Sequence, residues 1–518
     1  MSFPSALGRA FAPVALFAVA GCASVPADLG RQEVETLVSE RGRTVTRPPD
    51  DDAAKLVTAI TDTPLTPESA VRIAFVQSPR LQRTYAQMGF VAADVYAASR
   101  MSNPRLGLAV LSSNVAGEKD QVTIGLALSF TDLLTLPSRN RLAKADYARI
   151  KQAIGAEILD LTADVEVAYF RLVGAKQVAA LRARTAEAAG LSATLADRFR
   201  DAGNLTPRDH ALEQAAASEA RIDAARAEAE VASARLALAN LLGLRTRDAW
   251  DAPTELPWPL TEEDDVDALV AHAGDARLDL AAARARVEAL ADRLGVTRWT
   301  RWVGDVELGV EREDEPDGSR RAGPTLAIEI PVFDQRRDRV LRATAELDEA
   351  TIDLKSLALG VENQIRFAHT QLLNAKRRLA EHRDVLVPQR EAAVARTQEE
   401  VNFMLVGVFE LLVAKQQEYD AYQGYLESAR DYWLARVELS RAVGDALPSA
   451  AFAGDSTLDL DTLITPAPAA MDHGAHGTED KPKEAPKVEQ PPMPPADDQK
   501  PDAHKGHDGQ HGSHGGTP

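Results

Sequence analysis

The chain of 518 residues is poor in cysteine, aromatic side chains and long apolar runs. Its only cysteine is Cys22, so no disulfide can form within the chain. Aromatic residues make up 5% of the sequence, and no stretch of eighteen consecutive apolar residues predicts a transmembrane helix. The net charge is −19, with no basic stripe for phosphate contacts, so we expect no nucleic-acid partner.

Catalytic signatures are also missing from the sequence. There is no Gly-rich nucleotide loop ending in Lys-Ser/Thr and no nucleophile elbow. Four histidines are isolated in helical stretches, without a metal-ligand spacing, and we expect structural roles for them: His210, His272, His369 and His382. The sequence therefore predicts a protein that is not an enzyme and requires no cofactor.

The N-terminal segment has the layout of a signal peptide. Arg9 precedes the apolar run "AFAPVALFAVAGCASVP", which predicts a signal over residues 1–21. The residues before Cys22 resemble the bacterial lipobox, so lipidation is expected at Cys22; the alternative is an ordinary signal with an incidental cysteine. Ala23 follows where Asp favours inner-membrane retention in well-studied bacteria, so the resemblance implies the outer membrane. Residues 22–62 are predicted to be a lipidated linker.

The sequence also contains a weak internal repeat of about two hundred residues. Four pairs of similar segments define this repeat. Two pairs are 200 positions apart: "LALSF" (126–130) with "LAIEI" (326–330), and "AYFRL" (168–172) with "AHTQL" (368–372). The other two are 201 positions apart: "LTPRDHAL" (205–212) with "VGVFELLV" (406–413), and "NLLG" with "RAVG", which end at Gly243 and Gly444. This register predicts repeats over 63–249 and 266–447. A Pro- and acid-rich linker separates them at 250–265.

Each repeat is predicted to hold one short helix (Pro67 to about Ser99, and about Val266 to Val296) and then two strands. The strands are expected at about 103–112 and 121–130, and at about 303–312 and 323–332, because apolar and small or acidic residues alternate there. Their length suits tilted membrane-spanning strands, although hairpins on a soluble core are the alternative. An isolated hairpin is marginal in water, and four strands cannot close a membrane barrel. If the strands span a membrane, several chains must therefore share one barrel.

Long helices with heptad-like apolar spacing follow the strands in both repeats. About sixty residues, from Arg139 to Arg200 in the first repeat, would make a helix of about 90 Å. Each helix ends at a break, "DAGNLTP" or "VNFMLVG", and the chain returns in a second helix. A filament-like coiled coil is the alternative, but it would not account for the strand pairs.

This combination resembles the outer membrane factor family of TolC-like efflux channels over roughly residues 63–447. "IPVFDQRRDRV" (330–340) and "LPSRNRLAKA" (136–145) are similar to the family's strand-to-helix junctions, and "GVFELLVAKQ" (407–416) to its tip motif. The resemblance implies a mainly α protein of duplicated antiparallel coiled-coil helices and two β-hairpins. It further implies a homotrimeric α-barrel with a shared twelve-stranded β-barrel on top. Lipid-anchored and inserted in the outer membrane, it would extend into the periplasm, with an adaptor (membrane fusion protein) and an inner-membrane pump of RND type as partners.

Two groups of acidic residues are candidate conduit residues. Glu410 aligns with an acidic tip position that forms a gating ring in some relatives, and Asp209 is its repeat partner. The alternative is that both are helix N-terminal carboxylates, and Val413 stands where some relatives carry a second acid. Asp305, Glu307, Glu311 and Glu329 share the predicted lumen face of the strands, where acids could line a cation path or serve only solubility.

The C-terminal segment, residues 448–518, is predicted to be a disordered Pro/His-rich tail. Its histidines have a spacing that could bind Cu, Zn, Ni or Co labilely: His473, His476, His504, His507, His511 and His514. An incidental polar tail is the alternative. With the resemblance to the heavy-metal (Cus/Czc-like) branch, this predicts an efflux channel for heavy-metal cations. The alternatives are multidrug efflux, type I secretion, and a periplasmic coiled-coil structural or adaptor lipoprotein.

Overall fold

The computed structural model describes residues 28–43, 50–112, 114, 117–245, 248–302, 305–330, 332–449 and 457–458. The predicted signal peptide, Cys22 and the six tail histidines lie outside them. The helices are α1 (Arg31–Ser39), α2 (Asp50–Thr61), α3 (Pro67–Gln77), α4 (Pro79–Ala98), α5 (Phe130–Asp201), α6 (Pro207–Leu242), α7 (Val266–Ala276), α8 (Leu278–Thr300), α9 (Arg337–Glu381), α10 (Val387–Asn402) and α11 (Val408–Val443). The strands are β1 (Arg105–Leu111), β2 (Gln121–Ser129), β3 (Val306–Asp314) and β4 (Arg320–Ile328).

The four strands form one antiparallel sheet in the order β1-β2-β3-β4. The register pairs Leu106 with Leu126, Leu126 with Val310, and Leu308 with Leu326, so the apolar residues of both hairpins share one face. All four strands overlap the intervals expected from the alternation. β3 runs two residues further than expected, and β4 begins and ends earlier because it is paired with β3 from Arg320 to Ile328.

The longest helix, α5, has 72 residues and would span about 110 Å. It begins at Phe130 rather than near Arg139, because the Ser129 side chain caps it by accepting the Asp132 N–H at 3.2 Å. The helix continues through Pro137 and ends at a tip where Gly203 has a φ of 76°. Thr206 then caps α6, which returns alongside α5.

The corresponding helix of the second repeat is interrupted. Between α9 and α10 lies a π-helical turn, His382–Leu386. The tip loops have equal lengths, since Asp201 and Pro207 correspond to Asn402 and Val408, and α6 and α11 both have 36 residues. The one extra residue of the second repeat must therefore lie in the descending helix after position 372. A π-turn accommodates one such residue, which accounts for the change of repeat offset from 200 to 201.

The prediction of one short helix at the start of each repeat is wrong. The structure has two helices in each place, broken at Ser78 and Arg277. Pro79 disfavours a helical conformation at Ser78, whose ψ is 122°. At Arg277 no proline follows; its guanidinium binds Asp279 and donates to the Ala442 carbonyl at 2.6 Å, which fixes the break against α11.

The main core lies where the middle parts of α5, α9 and α11 meet. Phe170 stacks on Trp433 with ring centroids 5.3 Å apart, and Tyr432 is fully buried beside them. The chain between the repeats packs onto this core, and Leu458 returns to donate its N–H to the Leu256 carbonyl at 2.8 Å. The two repeats are thereby joined at the level of the core.

The N-terminal strap, defined as residues 28–43, docks onto the helices. Val34 and Val38 of α1 are fully buried. Arg43 forms an ion pair with the buried Glu166 on α5 and contacts Ser440 on α11. Burial raises the pKa of the Glu166 carboxyl, and the Arg43 charge opposes that rise. The strap therefore ties both repeats together.

No helix within the described ranges has both the length and the apolar character required to cross a bilayer.

Candidate functional site

The sheet places the four predicted lumen residues on the face opposite the apolar one. Asp305 lies just before β3, Glu307 and Glu311 lie on β3, and Glu329 follows β4 opposite Asp305. The register puts Glu311 in one row with three glycines: Gly107, Gly125 and Gly323. Glu311 therefore presents the one side chain of that row.

Two of these carboxylates are paired with arginines. Arg105 reaches Glu307 at 2.9 Å, and Arg336 reaches Glu329 at 2.8 Å. The Asp305 and Glu311 carboxylates have no ion-pair or hydrogen-bond partner in the part of the chain that is described. The polar face thus carries two carboxylates that are paired with arginines and two that have no partner among the described residues. The two unpaired carboxylates are the negative charges that an ion in water could meet.

At the first tip, Asp209 takes part in the cap of α6. Its N–H donates to Thr206 Oγ1 at 3.1 Å, and the Thr206 hydroxyl donates to the Asp209 carboxylate at 2.7 Å. His210, the next residue, bonds to Asp197 at 2.6 Å and to Arg200 at 2.9 Å. Asp209 thus lies in the first turn of α6, with its carboxylate bonded to the capping residue Thr206.

The second tip is built differently. Glu410 lies in the first turn of α11, is exposed, and follows the N-cap residue Gly407, which has no side chain to cap the helix. A Cβ atom on Gly407 would lie 2.8 Å from the Glu410 carboxylate, so this carboxylate folds back over the helix start. Its negative charge faces solvent at the positive end of the helix dipole.

The apolar loop of the second tip was missed as a site. Phe403, Met404 and Leu405 are all exposed, Met404 to 92%, and Met404 has a φ of 57°. The matching loop of the first tip carries Ala202, Gly203 and Asn204. Three adjacent apolar residues inside a predicted helix break could have indicated this surface from the sequence.

Each isolated histidine has a neighbour of its own rather than a shared ligand. His272 bonds to Asp445 at 2.8 Å and His369 to the Asp264 carbonyl at 3.2 Å, while the His382 ring packs on Gly424. Among the described residues, no group of three or more His, Cys, Asp or Glu could hold a metal ion. The tail histidines lie outside these residues.

The chain is similar to two characterised bacterial proteins. Protein CyaE of Bordetella pertussis is 30% identical over 318 residues, which cover 56% of this chain and 66% of the relative, slightly less than two thirds. The cobalt-zinc-cadmium resistance protein CzcC of Cupriavidus metallidurans is 24% identical over 344 residues, covering 64% of this chain and 78% of that protein. No protein-family model matches.

Solved structures share the fold. The outer membrane protein VceC of Vibrio cholerae has a TM-score of 0.61 at 18% identity, over 73% of this chain and 96% of its own. The outer-membrane channel OprN has a TM-score of 0.62 at 18% identity (79% and 95%). CusC has 0.60 at 15% identity (73% and 92%).

The chain is similar in sequence to CyaE and CzcC, and it shares its fold with outer-membrane channels such as OprN and CusC. The mainly helical fold with one small sheet is that of the outer membrane factor channels, as the sequence predicted. OprN and CusC are described as outer-membrane or transmembrane channels and CzcC as a resistance protein, and none of these descriptions denotes an enzyme, which is consistent with the expected lack of catalysis.

Proposed function

We propose that three copies of this chain form the outer-membrane duct of a tripartite efflux system. The observation that carries this proposal is the sheet: its apolar face is open, with Leu106 exposed to 74% and Val310 to 62%. β1 and β4 are also unpaired on their outer edges within the described chain. Edge-to-edge pairing of three sheets would give twelve strands without edges, with the apolar face in lipid.

A charge placed on either face of the sheet tests this arrangement. Leu108→Lys puts a cation among the apolar residues of β1, and Ala109→Lys puts one on the opposite face. A lipid-facing lysine near the bilayer centre costs about 2–4 kcal/mol. We expect Leu108→Lys to reduce the detergent-extractable outer-membrane fraction strongly and Ala109→Lys to leave it unchanged. Equal fractions for both variants would contradict a membrane barrel.

The docked strap supports lipid anchoring at Cys22. Gly30 contacts Tyr147, which lies 17 residues, or about 26 Å, along α5 from Phe130 at the end of the sheet. The six residue steps from Cys22 to Asp28 span at most about 21 Å. A fully extended chain of this length would let a lipidated Cys22 reach within about a headgroup layer of the sheet. Labelled palmitate should be incorporated by the wild type and not by Cys22→Ser.

An adaptor (membrane fusion protein) and an inner-membrane pump of RND type would complete the export system at the hairpin tips. The exposed loop of Phe403, Met404 and Leu405 is an apolar surface that such an adaptor could cover. Cross-linking from a photoreactive group at Met404 in whole cells should capture a periplasmic protein. Capture that is equally strong from position 203 would show no preference for this loop.

Heavy-metal cations are the substrates that we propose. The likeness to CzcC at 24% identity, the free carboxylates of Asp305 and Glu311, and the spaced tail histidines support this choice. Loss of the gene should increase sensitivity to cobalt, zinc, cadmium or copper. Unchanged metal resistance with increased drug sensitivity, or with a lost secreted protein, would instead favour the multidrug or type I duct.

The tail histidines are proposed to bind these metals labilely. Removing residues 471–518 should lower the number of Zn²⁺ or Cu²⁺ ions bound per chain without altering assembly. The six-fold variant with alanine at all tail histidines is the matched control, because it keeps the length of the tail. Metal binding that survives both changes would exclude the tail as the site.

A further inference from the structure

The two hairpin tips share one backbone geometry. At the second tip the Met404 N–H donates to the Val401 carbonyl and the Leu405 N–H donates to the Glu400 carbonyl, both at 2.9 Å. The first tip makes the same two bonds 201 positions earlier, at 2.9 Å and 2.8 Å. This pair of bonds is the Schellman motif, which closes the C-terminal end of a helix. The two loops therefore differ in their side chains and not in these helix-closing bonds.

The motif requires one residue in the left-handed conformation, and different residue types occupy that position at the two tips. It is Gly203 at the first tip, with a φ of 76°, and Met404 at the second, with a φ of 57°. Glycine adopts this conformation without strain, whereas a Cβ atom makes it unfavourable. The second tip thus has a strained methionine at the position where the first repeat has glycine.

Packing within the chain does not compensate for this strain. The Met404 side chain is 92% exposed, and its neighbours Phe403 and Leu405 are exposed as well. Met88, by contrast, is only 1% exposed, and Met101 is half-buried. A strained side chain with so little contact to its own chain indicates a role toward something outside the chain.

The thioether sulfur of an exposed methionine is open to two-electron oxidants such as hydrogen peroxide. The sulfur lone pair attacks one peroxide oxygen, so that an S–O bond forms and the O–O bond breaks. The proton on the transferred oxygen passes to the departing hydroxide, which leaves as water; the sulfur loses two electrons and the peroxide gains them. The product, methionine sulfoxide, is polar, and enzymatic reduction restores the thioether.

A sulfoxide at Met404 would place a hydrogen-bond acceptor in the middle of the apolar loop of the second tip. A partner that covers Phe403, Met404 and Leu405 would have to bury this oxygen, which weakens binding unless a donor meets it. The same partner would shield the sulfur, so an oxidant reaches it only at an uncovered tip. Oxidation of this loop and its burial by a partner therefore oppose each other.

We propose that Met404 is a reversible oxidation site, and that its sulfoxide keeps the second tip free of its apolar partner. The effect on docking rests on the proposed function, in which a periplasmic adaptor covers this loop. The oxidation itself rests only on the exposure of the sulfur at the apex of the loop.

Peptide mass mapping after treatment with hydrogen peroxide tests the site itself. The sample is the detergent-extracted full-length protein, and Met88 is the internal control because it is buried. We expect sulfoxide to form about tenfold faster at Met404 than at Met88, since susceptibility follows exposure. Equal rates at the two positions would overturn the site.

Cross-linking from a photoreactive group at Leu405 in whole cells tests the effect on docking. Peroxide should lower the yield of captured periplasmic protein roughly tenfold, because an unpaired oxygen is then buried in the contact. The yield should not change in Met404→Leu, which keeps an apolar side chain and has no sulfur. Met404→Gln, whose amide oxygen resembles the sulfoxide, should give a low yield even without peroxide. An equal loss in the wild type and in Met404→Leu would overturn the switch.

Met404→Gly separates this role from a structural one. The variant has the residue of the first tip, so hydrogen exchange in the last turn of α10 should become slower while capture from Leu405 falls. Faster exchange with unchanged capture would show that the methionine only stabilises the loop, which contradicts the switch. If the untreated wild type captures no protein, the proposed adaptor docking fails and the switch fails with it, whereas the peptide mapping still decides the oxidation site.

Discussion

The two helical hairpins come from one duplicated unit, but the structure gives them different mechanical and chemical characters. In the first, α5 runs unbroken to a polar tip, and Thr206 caps the returning helix. In the second, a π-helical turn interrupts the descent, the tip is apolar, and Gly407 provides no side-chain cap. The first hairpin thus has a continuous helix and a side-chain cap at its tip, whereas the second has an interrupted helix and no side-chain cap.

Removing a buried ion pair that holds the repeats together should produce the largest change in the free energy of unfolding. Arg43→Met leaves Glu166 buried without its cation, which should cost about 3–5 kcal/mol of unfolding free energy at neutral pH. Burial raises the pKa of the Glu166 carboxyl in the folded state. The variant should therefore lose stability as pH rises through this folded pKa, and it should regain stability as pH falls and the carboxyl becomes protonated. Denaturant unfolding in detergent at pH 7 and pH 5 measures it.

The control for this change is the buried pair between Glu263 of the linker and Arg436 on α11, 2.6 Å apart. Arg436→Met leaves Glu263 with the Tyr432 hydroxyl at 2.7 Å and Lys376 at 3.4 Å, so the loss should be smaller. A loss for Arg43→Met that is the same at both pH values would contradict an uncompensated Glu166 carboxylate.

Two glycines allow the π-turn to be compared with the unbroken helix. A Cβ on Gly424 would lie 2.5 Å from His382 of the π-turn, whereas a Cβ on Gly190 of α5 would meet nothing within 4 Å. Gly424→Ala should destabilise the protein by about 1–3 kcal/mol through overpacking. Gly190→Ala should stabilise it by about 0.5–1 kcal/mol. Thermal unfolding of both variants decides this, and a stabilising Gly424→Ala would show that the π-turn is free to adjust.

The helix caps at the two tips should give a smaller effect. Thr206→Ala removes the hydroxyl that accepts the Asp209 N–H and should cost about 1 kcal/mol. Gly407→Ala removes no side-chain hydrogen bond, and its Cβ would instead displace the exposed Glu410 carboxylate, so we expect no loss of a capping bond at α11. Hydrogen exchange of the first turns of α6 and α11 reports each tip locally, and equal exchange changes would remove the proposed distinction.

The smallest expected effects concern ion selectivity. Glu410→Gln should lower the cation-to-anion permeability ratio roughly two- to threefold, because the exposed carboxylate is only partly screened by salt. Asp209→Asn should act mainly on stability, since that carboxylate is bonded to Thr206. Reversal potentials in planar bilayers measure the ratio. A larger shift for Asp209→Asn than for Glu410→Gln would reverse the assignment of the two tips.

Much of this fold is predictable because the sequence periods are strong. The alternation along "VTIGLALS" predicts both the strand β2 and the face of its residues, and the heptad-like spacing predicts α5. The break at Ser78 was predictable from Pro79 but was not anticipated, while the one at Arg277 depends on a contact with Ala442, far along the chain. The change of the repeat offset from 200 to 201 indicated one inserted residue in the second repeat. The offset alone does not show at which position the helix accommodates that residue as a π-turn.

The candidate site was predictable in its residue types and less so in its partners. Glu307 and Glu329 share the expected face, but Arg105 and Arg336 compensate them, and such pairs depend on strand register and loop geometry. Asp209 could be placed at a tip from the repeat alone. Its bond to Thr206 follows from the cap geometry, which a repeat offset does not specify.

The most direct measurement of the central claim is the native mass of the detergent-extracted full-length protein. One chain provides four strands with two edges that are unpaired among the described residues, so a closed barrel needs several copies, and the duct that we propose has three. We predict a single species with the mass of three chains, which Leu108→Lys diminishes and Ala109→Lys does not. A monomer that remains folded and soluble without detergent would contradict the account.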